Sequence, residues 1–208
     1  MKKLILFTII FAISCEDSNN HNENHNSNLL FVSSEGTYGN GDGSISVFND
    51  NEMIQTVEEV GDVVQSIIVN NDHLFVIINN SHKIKRYSIT ESGLNLPGID
   101  IETSNSSPRE MVIVDDKLYF TNWNSRDVKV LDLVTYSIVS TIALDGVPED
   151  IVSDGDFLWV SIPMLELYDG NNGSSVLKID IESESLVSTY EVGRGPEHML
   201  IENDELWV

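Results

Sequence analysis

Along most of this chain apolar and polar residues alternate with a period of two, and one cassette of that alternation keeps returning. At 148–160, PEDIVSDGDFLWV, a proline is followed three residues later by an apolar residue, then by an acidic turn, then by a Leu-aromatic-apolar triplet. The cassette recurs at 64–76, 108–120 and 196–208, with Val64 in place of the proline in its first copy. Each triplet leucine (Leu74, Leu118, Leu158, Leu206) lies ten positions after the Val or Pro, and a lone triplet, Leu30-Phe31-Val32, starts the series. The five leucines are 44, 44, 40 and 48 residues apart. A period in that range marks an array of similar structural units.

The content of each unit predicts strands. After every triplet comes a polar loop and then an alternating segment, at 44–48, 83–89, 127–133 and 176–181. A turn leads to one more strand, at 53–60, 99–103, 137–144 and 186–192. Val, Ile, Tyr and Thr fill these runs, while Asn, Asp, Gly and Ser punctuate them. No long window beyond the N-terminal segment keeps a helical period. Four short strands per unit make the expected fold class all-β, a β-propeller of four-stranded antiparallel blades over 29–208.

Composition changes the picture mainly at the N-terminus. Lys2 and Lys3 precede an apolar run, 4–13, that is too short to span a bilayer, and Ser14 precedes the only cysteine, Cys15. Ala12-Ile13-Ser14-Cys15 resembles a bacterial lipobox, so 1–14 is expected to be a lipoprotein signal peptide and Cys15 the lipidated residue. An ordinary signal peptide with a chance cysteine is the alternative. Lipidation would leave no thiol for a disulfide or a metal. Residues 16–28, EDSNNHNENHNSN, contain nothing apolar and read as a flexible tether. His21, Glu23 and His25 could hold a metal loosely there, with a plain solvated spacer as the alternative.

Charge narrows the partners. The whole chain carries 34 acidic residues against 11 basic ones, a formal charge of −23, and removal of Lys2 and Lys3 would make it −25. Such a surface repels phosphate backbones, so nucleic acid is excluded as a partner. Solubility outside the cell accounts for the acidity; attraction of a cationic ligand is the alternative.

Tyr119-Phe120-Thr121-Asn122, followed by Val128-Lys129-Val130-Leu131-Asp132, resembles the YVTN-type β-propeller repeat. Ser34-Glu35-Gly36 through Ser44-Ile45-Ser46 is similar to the opening blade of YVTN-like surface lipoproteins of Gram-negative bacteria. The resemblance implies an outer-membrane or cell-surface lipoprotein, with the periplasmic side as the alternative. It also implies a seven-bladed ring, of which this chain, entering and stopping at second-strand triplets, would be the N-terminal part. A compact four-bladed ring is the alternative. The first copy departs by lacking the proline, and the second by a longer connection at 92–97.

A strand meander places the residues after each Val or Pro on the same face as the loops after the triplets. Gln65, Arg109, Glu149, Glu197 and His198 are therefore expected to ring a channel mouth, with Tyr38, Trp123 and Tyr168 standing on loops around it. Aromatic platforms beside a few polar groups suit a small molecule, a glycan or a protein partner. Arg109 is a forked donor for an anionic group or for Glu149. Similarity to a propeller lyase that acts on cyclic peptide antibiotics makes His198 a weak catalytic candidate. The equivalent positions, Ser66, Glu110 and Asp150, offer no second histidine, and a hydrogen-bonded structural histidine is the other reading. Gly36, Gly39, Gly41 and Gly43 lead into a strand, not a helix, which removes a phosphate cradle. Asp169-Gly170-Asn171-Asn172-Gly173 reads as a turn in preference to a calcium loop. No metal or cofactor is expected. The function expected is that of a lipid-anchored extracytoplasmic binding or interaction module, with a lyase or lactonase-like hydrolase as the alternative.

Overall fold

The computed structural model describes residues 29–208. The expected signal peptide, Cys15, the expected tether and the His21-Glu23-His25 group lie outside the described residues. The rest consists of seventeen strands in five antiparallel sheets, each a meander in chain order.

Sheet I comprises β1 (Leu29–Ser34), β2 (Gly43–Asn49) and β3 (Glu52–Gly61). Sheet II comprises β4 (Val64–Asn70), β5 (His73–Ile78), β6 (Lys83–Thr90) and β7 (Gly93–Glu102). Sheet III comprises β8 (Pro108–Val114), β9 (Lys117–Asn122), β10 (Asp127–Asp132) and β11 (Ser137–Ala143). Sheet IV comprises β12 (Ile151–Ser153), β13 (Phe157–Ile162), β14 (Ser175–Asp180) and β15 (Ser185–Glu191). Sheet V is the pair β16 (Leu200–Glu202) and β17 (Glu205–Trp207).

The first strands of neighbouring sheets touch one another in series, β4 with β8, β8 with β12 and β12 with β16, so this strand is innermost in each sheet. Core residues lie between successive sheets. Leu118 and Phe120 face sheet II with Phe75 and Ile77, whereas Tyr119 and Val130 face sheet IV with Leu158 and Val160. The second strands of sheets II and III are buried on both faces, which is why their triplets read as continuous apolar runs. The outermost strand β11 alternates instead, because one face meets water, and β15 is exposed along nearly its whole length.

Two expectations need correction. Residues 92–97 are not a connection: β7 starts at Gly93 and pairs with β6 through Leu94 and Asn95, with a register shift between Arg86 and Ser88. Pro97 sits within β7 because this strand is the open edge of its sheet, where a missing N–H breaks no ladder bond. The innermost strands of sheets IV and V are also shorter than the cassette suggests. Pro148-Glu149-Asp150 precedes β12, and in sheets II and III the same positions fall in register breaks, between Val64 and Ser66 and between Pro108 and Met111.

Candidate functional site

Those breaks build the site, because side-chain hydroxyls replace the missing ladder bonds. Thr121 Oγ1 accepts from Glu110 N at 3.1 Å and donates to the Glu149 carbonyl of the next sheet at 2.6 Å. Ser161 repeats the arrangement one sheet on, accepting from Asp150 N at 2.9 Å and donating to the Glu197 carbonyl at 3.4 Å. Ser66 Oγ donates to the Arg109 carbonyl at 2.9 Å. Three hydroxyls thus fix the backbones of Arg109, Glu149 and Glu197 across sheet boundaries. Thr121 and Ser161 are completely buried, so each must bond within the protein. Sequence reasoning missed both as site residues. The signal was present in the Thr of Tyr119-Phe120-Thr121-Asn122 and in Ser161 at the matching position.

From these backbones the side chains converge. Gln65, Arg109, Trp123, Glu149, Tyr168, Glu197 and His198 line one cavity of about 470 Å³, as the meander predicted. Tyr38 does not join them; it lines an adjoining cavity of about 370 Å³ that shares Arg109, Trp123 and Tyr168 as a common wall. The loop after β13 reaches the mouth because Asp169 Oδ2 accepts from Leu165 N and Glu166 N, at 2.9 and 3.1 Å, and Oδ1 from Asn172 N. Gly173 passes so close to β13 that a Cβ would strike the Ile162 carbonyl. The Asp169–Gly173 segment is accordingly a turn. Among the described residues no group of three His, Cys, Asp or Glu side chains converges to hold a metal.

Arg109 is the hub. Its Nε donates to both Glu149 carboxylate oxygens at 3.1 and 3.2 Å, Nη2 to Oε1 at 2.5 Å, and Nη1 to Gln65 Oε1 at 2.6 Å. The guanidinium lies 4.0 Å from the Trp123 ring centre, and Trp123 Nε1 donates to Glu149 Oε2 at 2.8 Å. Of the two partners expected for Arg109, an anionic ligand or Glu149, the structure therefore shows Glu149. The pair's side chains are only 15% and 9% exposed, so its bidentate geometry offsets a real desolvation cost. Trp123 meets Tyr168 edge to face at 6.2 Å. Tyr168 and Tyr38 are 83% and 77% exposed, leaving their rings open.

Glu110, beside Arg109, is pushed up to about 7, first by burial and then by the Asp150 carboxylate, against a hydrogen bond from Gln65. Asp150 itself is engaged, accepting from Ile151 N at 2.8 Å and Met199 N at 2.6 Å. Glu197 accepts from Asn171 Nδ2 at 3.2 Å. His198 lines the cavity from an exposed position, and among the described residues its ring forms no hydrogen bond; the structural histidine expected there is not what the geometry shows. A larger cavity, about 610 Å³, lies at the opposite end between sheets III and IV and contains none of these residues.

Solved structures share this architecture. The chain is similar to hydrazine synthase of Kuenenia stuttgartiensis, with 17% identity and a TM-score of 0.62 over 75% of this chain and 45% of that one. It is also similar to the dihydro-heme d1 dehydrogenase NirN, solved in complex with DHE, with 15% identity and a TM-score of 0.60 over 83% of this chain and 38% of that one. Both are β-propeller proteins. The fold is a β-propeller. At such identities the likeness establishes the fold alone, and the chain spans less than half the length of either structure. No protein-family model matches the chain. No curated protein matches it. The five sheets are blades, I to V, and the cavity around Arg109 sits at the propeller's loop-rich mouth.

Proposed function

We propose that this protein is a lipid-anchored, extracytoplasmic binding module of YVTN-like type that holds a neutral or cationic ligand over the channel mouth. The observation that carries the reading is the closed bonding of Arg109. Its fork is taken up by Glu149 and Gln65, so the mouth offers a new ligand aromatic surface and acceptor oxygens, not a free cation. A small molecule or glycan suits such a surface, and an exposed segment of a partner protein presents the same groups. Anchoring through Cys15 and an outer-membrane or cell-surface location complete the proposal.

One observation favours an enzyme of lyase or lactonase-like type as the second reading: the Glu110 carboxyl, next in sequence to Arg109, is pushed up to about 7 by burial, where it could exchange a proton, and the exposed His198 lines the mouth. Two experiments test these readings. Cys15→Ser should move the protein from the detergent-soluble to the aqueous phase on Triton X-114 partitioning, and an unchanged partition would refute the anchor. A panel of neutral, cationic and anionic metabolites should quench Trp123 fluorescence with a preference against anions. If His198→Ala and Glu110→Gln abolished turnover of a panel compound and left its binding intact, the binding-only reading would be lost.

A further inference from the structure

A cavity of about 610 Å³ lies away from the mouth, and the repeat itself shows what is missing from it. In blades II, III and IV the triplet aromatic faces one residue of the third strand: Phe75 pairs with Arg86, Trp159 with Lys178, but Tyr119 with Val130. Where that residue is a cation, the structure uses it. Arg86 Nη1 donates to the Tyr136 hydroxyl at 2.7 Å, with the guanidinium 4.9 Å from the ring centre. Lys178 Nζ lies 3.7 Å from the centre of Phe157 and 4.9 Å from that of Trp159. Blade I also has a valine there, Val47, but it faces Phe31, which has no polar atom to satisfy.

The acceptor side has changed as well. Tyr136 stands one residue before the last strand of blade III with a left-handed backbone, φ 54, and in blade IV that position belongs to Glu184, φ 52. The boundary between blades II and III therefore contains an arginine and a tyrosine. Its counterpart between III and IV contains a valine and a carboxylate.

Around that boundary the cavity of about 610 Å³ is lined by Asp115, Asp116, Asp132, Asp156, Asp180 and Glu182, against one base, Lys117, whose Nζ is 4.0 Å from Glu184 Oε1. Tyr119 lines the same cavity, is 0% exposed, and its hydroxyl has no hydrogen-bond partner. The corresponding polar atom of blade IV does have one, Trp159 Nε1 donating to Asp154 Oδ2 at 3.0 Å. A buried hydroxyl left unbonded is costly, so a ligand that reaches it gains that bond. Val114, Phe157 and Ile181 add apolar wall between the charges. The carboxylates do not converge as a metal ion would need.

We infer that this cleft between blades III and IV binds a polyamine. Its ammonium groups take the place that the repeat gives to Arg86 and Lys178, bonded to the turn carboxylates and to the Tyr119 oxygen. Its methylene segments lie along Val114, Phe157 and Ile181. The site is independent of the channel mouth, which is on the opposite face.

Calorimetric titration of the full chain with spermidine at low ionic strength should show one saturable site. Asp156→Asn with Asp180→Asn should weaken it about tenfold, as loss of two solvent-screened charge contacts implies. Val130→Arg, which installs the missing cation, should abolish it; circular dichroism checks that this variant folds, and the Asn pair carries the test if it does not. Tyr168→Ala at the mouth should leave it unchanged. Glu58→Gln with Glu59→Gln, an equal change of net charge on exposed residues of blade I, should also leave it unchanged. No saturable heat would overturn the inference. So would equal weakening by the Glu58/Glu59 pair, or calcium chloride that displaces spermidine at equal concentration.

Discussion

The two ends of the same blades treat charge in opposite ways. At the mouth, Arg109, Glu149, Gln65 and Trp123 satisfy one another, and the ion pair is nearly buried. At the turn end, the acidic side chains either cap their own turns or face water. Asp132 Oδ1 accepts from Val134 N, Thr135 N and Thr135 Oγ1, Asp180 Oδ1 accepts from Ser183 N and Oγ, and both carboxyls are held below their usual range by those bonds. A buried, mutually bonded cluster fixes shape, whereas a set of locally bonded or solvent-facing carboxylates leaves a field for something else to meet.

Removing the hub should separate the two ends most sharply. Glu149→Ala leaves a guanidinium buried without its counter-ion and an indole N–H without an acceptor. Urea unfolding should show a loss of about 3 kcal/mol, the scale of a broken buried pair. The same change at Asp156, on an exposed turn, should shift the midpoint by no more than about 0.5 kcal/mol. Comparable losses at the two positions would erase the distinction.

The hydroxyl stitches come next. Thr121→Val keeps the shape and removes the bond to the Glu149 carbonyl and the acceptor for Glu110 N, at a cost of about 1.5 kcal/mol. Because Thr121 positions Glu149 only through the backbone, the Arg109–Glu149 pair should loosen, and Trp123 emission should shift to the red. Loss of stability with unaltered emission would make Thr121 a core residue with no part in the site.

Glu110 sharpens the comparison through pH. Its folded pKa, about 7, lies above the ordinary 4.5. Below 4.5 the carboxyl is protonated in both states and costs nothing. Between 4.5 and 7 the unfolded chain ionises first, so stability falls as pH rises, by at most about 1.4 kcal/mol per pH unit, and then levels off. Glu110→Gln should flatten this segment of the stability profile. The turn-end carboxylates, with lowered pKa values, act in the opposite sense: their contribution is present above the ordinary value and is lost as pH falls through the folded one.

Period and strand chemistry made the blades legible from the chain alone, since the triplets packed between blades are buried on both faces while the outer strands meet water. The meander then sorted Gln65, Arg109, Glu149, Glu197 and His198 onto one mouth without any coordinates. What stayed hidden depends on contacts between blades. Whether Arg109 faces a ligand or Glu149 is decided by a separation across a sheet boundary, and no spacing in the sequence encodes it. The unbonded Tyr119 hydroxyl is hidden for the same reason: a Tyr at a triplet position looks identical to Phe75 until the opposite residue, Val130, is known. Pro97 misled because proline argues for a loop unless the strand is known to be an open edge.

The smallest expected effect tests whether the turn-end field exists at all. Asp115 and Asp116 are exposed in the β8–β9 turn, and neither carboxylate forms a hydrogen bond among the described residues. If six carboxylates crowd one cleft with a single lysine among them, neutralising two should relieve repulsion, and Asp115→Asn with Asp116→Asn should stabilise the fold by about 0.3 kcal/mol at low salt. The gain should disappear near 1 M salt, where the screening length falls to about 3 Å. A gain that survives high salt would come from the turn backbone and not from charge, and a loss at low salt would mean that Lys117 already balances the cleft, in which case the turn end resembles the mouth after all.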